Sequence, residues 1–101
     1  MSNKKEIIVT KGSDNVFEDL GFDAPEAANL AIRAELMLDL RHFIEEQGWT
    51  QGQAAEFFGE TQPRIGNLIN GNINRFSLDK LVVMLGQAGK QVTVEVTEKA
   101  A

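Results

Sequence analysis

Residues 50–71, TQGQAAEFFGETQPRIGNLING, decide how the chain is read. Thr50 followed by Gln53 is a capping-box spacing: the threonine hydroxyl accepts from the Gln53 N–H while the glutamine side chain reaches back to the Thr50 N–H. The pair stands before the apolar run Ala54, Ala55, Phe57, Phe58, so a helix is predicted from about Gln51. Gly59 takes positive φ at little steric cost, which ends that helix and permits a sharp turn. Thr61 offers a second N-cap, with Pro63 in the first turn, where a missing N–H is no loss. A second helix is predicted over residues 62–70. Its apolar positions Ile65, Leu68 and Ile69 fall at i, i+3 and i+4 and should face the core, leaving Gln62, Arg64 and Asn67 together on an exposed face. Two short helices joined by a turn of about four residues form the unit that sets its second helix into the DNA major groove. Arg pairs bidentately with guanine, and Gln and Asn with adenine, which makes Gln62, Arg64 and Asn67 candidate base-contacting residues. The same capped pair also occurs in helical bundles that never touch DNA, and spacing alone leaves that alternative open.

Upstream, Glu6 to Thr10 (EIIVT) carries three β-branched apolar residues and is predicted as a short strand, after a disordered start over residues 1–5. Lys11 to Asn15 is predicted as a loop. Val16, Phe17 and Leu20 fit one helical turn closed by Gly21. Asp23 then caps a helix with Pro25 and Glu26 in its first turn. In that helix Leu30, Leu36, Met37, Leu40, Phe43 and Ile44 make an apolar stripe, and Gly48 ends it. The stripe is core rather than a cofactor box. Trp49, just before the Thr50 cap, fits a hydrophobic staple against Ala54 and is read as structural. His42 is read as an ordinary, partly exposed residue.

Downstream, Gly71 to Phe76 (GNINRF) is a Gly- and Asn-rich loop. Ser77 caps a further helix with Leu78, Leu81, Val82 and Leu85 facing inward, broken by Gly86 and Gly89. Gln91 to Glu98 (QVTVEVTE) alternates Val92, Val94 and Val96 with polar residues, the pattern of a half-buried strand. A lone strand needs a partner. It can pair with Glu6 to Thr10 inside the chain, or with its own copy across a two-fold axis; the latter would build the homodimer that helix-turn-helix proteins use on palindromes, and is preferred.

At 101 residues, 43% of them hydrophobic, the chain can bury one small core and not two. With no cysteine and one histidine it has neither a disulfide framework nor a usual zinc set, so no metal and no cofactor are expected. No apolar run approaches the roughly 18 residues of a membrane span, and the start lacks a signal peptide's apolar stretch; a soluble cytoplasmic protein, not membrane-bound, is expected. No acid is paired with a nucleophile, ligand set or phosphate loop, so no catalytic residue and no enzyme activity are expected.

The net charge of −5 looks unfavourable for contact with DNA, but it is unevenly spread. Residues 12–60 hold eleven acids against Arg33 and Arg41, a balance of −9. Residues 61–90 hold Arg64, Arg75, Lys80 and Lys90 against Asp79, a balance of +3. Such a chain would attract DNA at one end and a basic protein at the other. Acids on a long exposed helix also serve simply to keep a protein in solution.

The quoted stretch resembles the XRE family, which includes lambda-type phage repressors and Cro, in its TQ start, its AA pair, its turn glycine and the small residue before a polar, Ile-containing helix. SDNVFEDLGF (Ser13 to Phe22) and FSLDKLVVMLGQAGKQVTVEV (Phe76 to Val96) resemble one XRE subgroup that includes HigA-type antitoxins. The resemblance implies an all-α, lambda-repressor-like unit of five helices with a short C-terminal strand. It further implies that the segment after the second helix lies beside the phosphate backbone, so that Asn72, Asn74 and Arg75, with Gln51 and Thr61 at the two helix starts, are the candidate phosphate-contacting residues; Lys80 is a weaker candidate.

The division expected is an N-terminal segment, partly disordered, over residues 1–22, a DNA-binding domain over 23–90, and a strand and tail over 91–101. The function implied is a dimeric, sequence-specific repressor that binds a palindromic operator and serves as antitoxin to a small basic toxin in a HigBA-type pair, autoregulating its operon. The alternatives are a free-standing or prophage repressor without a toxin, and a protein-binding module with a relict helix-turn-helix.

Overall fold

In the computed structural model, residues 6–11 and 16–98 are described. The elements are β1 (Glu6–Lys11), α1 (Val16–Asp19), α2 (Ala24–Gln47), α3 (Gln51–Phe58), α4 (Gln62–Ile69), a 3-10 turn (Ile73–Arg75), α5 (Leu78–Gln87) and β2 (Gln91–Val96). The expectations for residues 1–5 and 12–15 lie outside the described residues.

Each long helix begins where its side-chain cap begins. Asp23 accepts from the Glu26 N–H at 2.9 Å, and Ser77 accepts from the Lys80 N–H at 3.1 Å, each satisfying a donor that has no partner within the first turn. The helices end where glycine permits a left-handed backbone. Gly48 at φ 69° stops α2 and Gly59 at φ 68° stops α3, conformations costly for a residue with a Cβ. Gly86 does not break α5, which runs through it to Gln87: a glycine weakens a helix interior by only about 1 kcal/mol, and the packing of Leu81, Met84 and Leu85 outweighs that.

Leu36, Leu40, Ile65, Leu68, Phe76, Leu81, Met84 and Leu85 form the centre of one core, with Ala54 and Phe58 beneath α3. The predicted stripe of α2 is buried at Leu30, Leu36, Met37, Leu40 and Ile44. In α5, Met84 rather than Val82 faces inward, and Val82 and Val83 are exposed. Trp49 lies 5.6 Å from the ring of Phe43 and 4.8 Å from that of Phe57, a structural aromatic cluster closing the α2–α3 corner.

Three expectations are corrected. The fold is mostly helical, but among the described residues four helices have two or more turns, and α1 is a single turn. The C-terminal strand is not alone and does not wait for a second copy: β2 pairs with β1 of the same chain, in parallel, with Ile7 opposite Val92 and Val9 opposite Val94. Nor is β2 half-buried along its length. Val92 is partly covered, whereas Val94 is 64% and Val96 73% exposed, because a two-stranded ribbon has no further layer behind its distal end. Among the described residues, no helix is long and apolar enough to cross a membrane.

Arg33, on α2, ties the core to the loop after α4. Its Nη1 donates to the carbonyls of Ile73 at 3.2 Å and Phe76 at 3.1 Å. These oxygens flank the 3-10 turn, so a single guanidinium fixes the segment that carries Asn74 and Arg75. Arg33→Met should keep the aliphatic packing and lose about 1.5–3 kcal/mol, the usual worth of hydrogen bonds from a charged donor, measured as a lower midpoint in urea denaturation; an unchanged midpoint would show that the loop is held by Phe76 alone.

Candidate nucleic-acid interface

The interface is built on the α3–α4 pair. Both halves of the α3 capping box are present: the Gln53 N–H donates to Thr50 Oγ1 at 3.2 Å, and the Thr50 N–H to Gln53 Oε1 at 2.9 Å. Thr61 Oγ1 accepts from the Arg64 N–H at 3.3 Å and starts α4, with Pro63 in its first turn. Between them the chain turns through Gly59 and Glu60, whose N–H donates to the Ala55 carbonyl at 2.9 Å. Ile65 and Leu68 are wholly buried, and this fixes the rotation of α4 about its own axis.

With about 100° between successive residues, Gln62 is set apart from the other two candidate base-contacting residues. Gln62 and Arg64 stand about 160° apart, on opposite flanks of the buried stripe, and Asn67 lies on the outward side with Pro63 and Asn70. The expectation of a single shared face is therefore corrected for Gln62: alternate positions on a helix diverge, whereas Arg64 and Asn67, three apart, are neighbours on the helix surface. Gln62 leans toward α3. A Cβ at Gly52 would come within 2.7 Å of its Nε2, so Gly52 is the seat of this amide. Gln51 crosses the other way, its Oε1 at 3.5 Å from where a Gly66 Cβ would stand. The candidate phosphate contact Gln51 and the candidate base contact Gln62 are thus brought together. Asn67 is joined to the loop: Asn72 Nδ2 donates to Asn67 Oδ1 at 2.9 Å and the Asn72 N–H to the Asn67 carbonyl at 2.9 Å. Asn74 and Arg75 are exposed in the 3-10 turn, and Thr61 is exposed at its cap.

Arg64 is not free. Its guanidinium lies over the buried ring of Phe76, with Cζ 5.2 Å from the centroid, a favourable cation–π distance. Its Nε is shut off from solvent without a well-formed hydrogen bond, and its counter-ion is Glu60 Oε1 at 3.5 Å. The second carboxylate oxygen of Glu60 pairs with Lys80 Nζ. The boundary between the acidic and basic segments therefore falls inside one ion-pair cluster. Lys90, another cation of the basic segment, sits over the Phe43 ring at 5.5 Å and lines a cleft with Asp39, Glu45 and Glu46 of α2. Arg75 remains as an exposed cation with no acidic partner among the described residues. Sequence reasoning missed Glu60, Arg33, Gly52 and Asn70. The first two were only counted as charges, and the i, i+4 spacing of Glu60 and Arg64 was the available signal.

A family model described as a helix-turn-helix domain matches residues 16–97, and the chain belongs to that family. Fold and family together support a DNA-binding regulator as its class. Neither curated proteins nor solved structures give a match to the chain.

Gly66, one turn beyond Gln62, has only ordinary van der Waals space used around it and no positive φ. The fold does not need glycine there. Gly66→Ala should raise stability by up to about 1 kcal/mol while weakening DNA binding, through loss of close approach on the side of α4 that carries Gln62. Urea denaturation and gel shift measure the two effects, and a variant more stable with undiminished binding would place that side of α4 away from DNA.

Proposed function

We propose that the chain is a sequence-specific, dimeric repressor of the XRE type, and the antitoxin of a HigBA-type pair that binds the palindromic operator of its own operon in the cytoplasm. The observation that carries the DNA-binding part is the rotation of α4, whose buried Ile65 and Leu68 leave an outward side of small and polar residues flanked by Gln62 and Arg64. Side chains of this kind read base edges, while Gln51, Thr61, Asn72, Asn74 and Arg75 at the margins suit phosphate contact and set the register. We read the protein as non-catalytic and free of cofactors.

The antitoxin role is supported by the resemblance of residues 13–22 and 76–96 to the HigA subgroup and by the acidic balance of residues 12–60. Leu38 is exposed on α2 between the acids Glu35 and Asp39, and Leu20 is 67% exposed, a combination suited to a basic partner with apolar contact points. Phe17 is less available: it is half-buried and lines a pocket with Met37, Leu38 and Ile73. Dimerisation is supported by the exposed Val94 and Val96 and by the second edge of β2, a surface that associates readily when left in water.

The test is a gel shift on the DNA just upstream of the gene, with co-expression of the neighbouring reading frame. Arg64→Ala should weaken binding to that DNA by about 1–3 kcal/mol and relax base preference; equal loss on random DNA would make Arg64 a phosphate contact. Arg75→Ala should weaken binding to all sequences alike and flatten the salt slope by about one unit. An Arg75→Ala slope equal to wild type would take Arg75 off the interface.

A further inference from the structure

Glu60 occupies an unusual position for an acid. It lies in the turn before α4, its side chain only 13% exposed, with one carboxylate oxygen toward Arg64 Nε and the other paired with Lys80 Nζ. Beneath it, Phe76 carries the Arg64 guanidinium on its ring face. Arg64 is thereby held on two counts, by ring and by counter-ion. Among the described residues its two Nη groups meet no acceptor; its side chain, 38% exposed, offers the fork that a guanine edge or a phosphate accepts in bidentate fashion. Lys80, a turn into α5, would otherwise be a mobile cation beside the same surface.

We infer that Glu60 is a specificity-determining residue that acts through Arg64 and Lys80: it orients the first and offsets one of their two positive charges, holding down indiscriminate attraction to phosphate so that binding depends on sequence. Phosphate attraction is the component of DNA affinity that carries no sequence information. Three charges reduced to a net of one give up general affinity and gain discrimination. The same carboxylate fixes the guanidinium before contact, so little side-chain freedom is lost on binding. The inference rests on the DNA-binding reading above and deepens it.

The backbone of the turn is set by the Gly59 left-handed cap and the Thr61 N-cap, not by the Glu60 side chain, so neutral variants should fold; circular dichroism checks this. Binding of wild type, E60Q, E60A and the charge-keeping E60D to a labelled duplex pool of random sequence is followed by fluorescence anisotropy between about 50 and 200 mM salt. E60Q and E60A should bind the pool more tightly. One released cation is worth about 8-fold at about 0.1 M salt, from a slope of about −0.9 per phosphate contact, and the slope should steepen by one to two such contacts. E60D should stay near wild type. In selection from a randomised duplex library, E60Q should enrich preferred sequences less than wild type does. Either neutral variant suffices if the other loses its helical signal. Neutral variants with wild-type affinity, slope and enrichment would overturn the inference alone, as would E60D gaining as much as E60Q. A wild-type protein with no salt-dependent binding to the pool would overturn the DNA-binding reading, and this inference with it.

Discussion

The burial of Ile65 and Leu68 on α4 is the constraint on which the rest of the interface depends. Both side chains enter the core formed by α2 and α5, beside Phe76 and Leu81. A helix of eight residues is too short to be stable alone, so its packing decides both that it forms and how it is turned. Once that rotation is set, the outward positions follow, and so does the divergence of Gln62 and Arg64 to opposite flanks. α3 contributes Gly52, whose lack of a side chain admits the Gln62 amide. The 3-10 turn, tied by Arg33 to α2, brings Asn72 onto Asn67. Each element of the surface is anchored from behind.

Electrostatics works against the simple picture of a basic unit attached to an acidic one. A count by segments assigns Arg64, Lys80 and Lys90 to a DNA-attracting half. In the fold, Glu60 takes up the first two, and the third lies over Phe43 at the acidic end of α2. Glu60 is largely buried and its two partners are partly so, and the cost of removing such charges from water offsets much of their attraction, so this cluster matters less for stability than for the field the protein presents to a polyanion. A protein of net charge −5 that must meet DNA has little general attraction, and its affinity must come from a few well-placed contacts.

The terminal ribbon has a different character from the helical core. β1 and β2 bring the two ends of the fold side by side in parallel, which satisfies one edge of each strand. Val94 and Val96 stay exposed at its distal end, and Val82 and Val83 on α5 are exposed as well. Beside them runs an open groove of about 270 Å³, lined by Pro25, Ala28, Ile32, Leu78 and Val92 among others. A surface of this kind is uncommon on a protein that works alone. No residue of α3 or α4 lines this groove.

What the sequence determined by itself was local. Thr50 with Gln53, Thr61 with Pro63, Asp23 with Glu26, and the glycines at 48 and 59 set the helix boundaries, because caps and turns are satisfied by residues a few positions apart, and the apolar stripes of α2 and α4 follow from a period of 3.6 residues. The tertiary structure alone decided what depends on distant neighbours. That Val82 is outside and Met84 inside, that β2 takes β1 rather than a copy of itself, that Gln62 rests on Gly52, and that Arg64 is held by Phe76 and Glu60 while Lys80 closes the cluster: each depends on which helix passes over which. Residues 60, 64, 76 and 80 meet only after α5 has packed on α2 and the 3-10 turn on α4, and a charge read along the chain has no counter-ion until the fold supplies one.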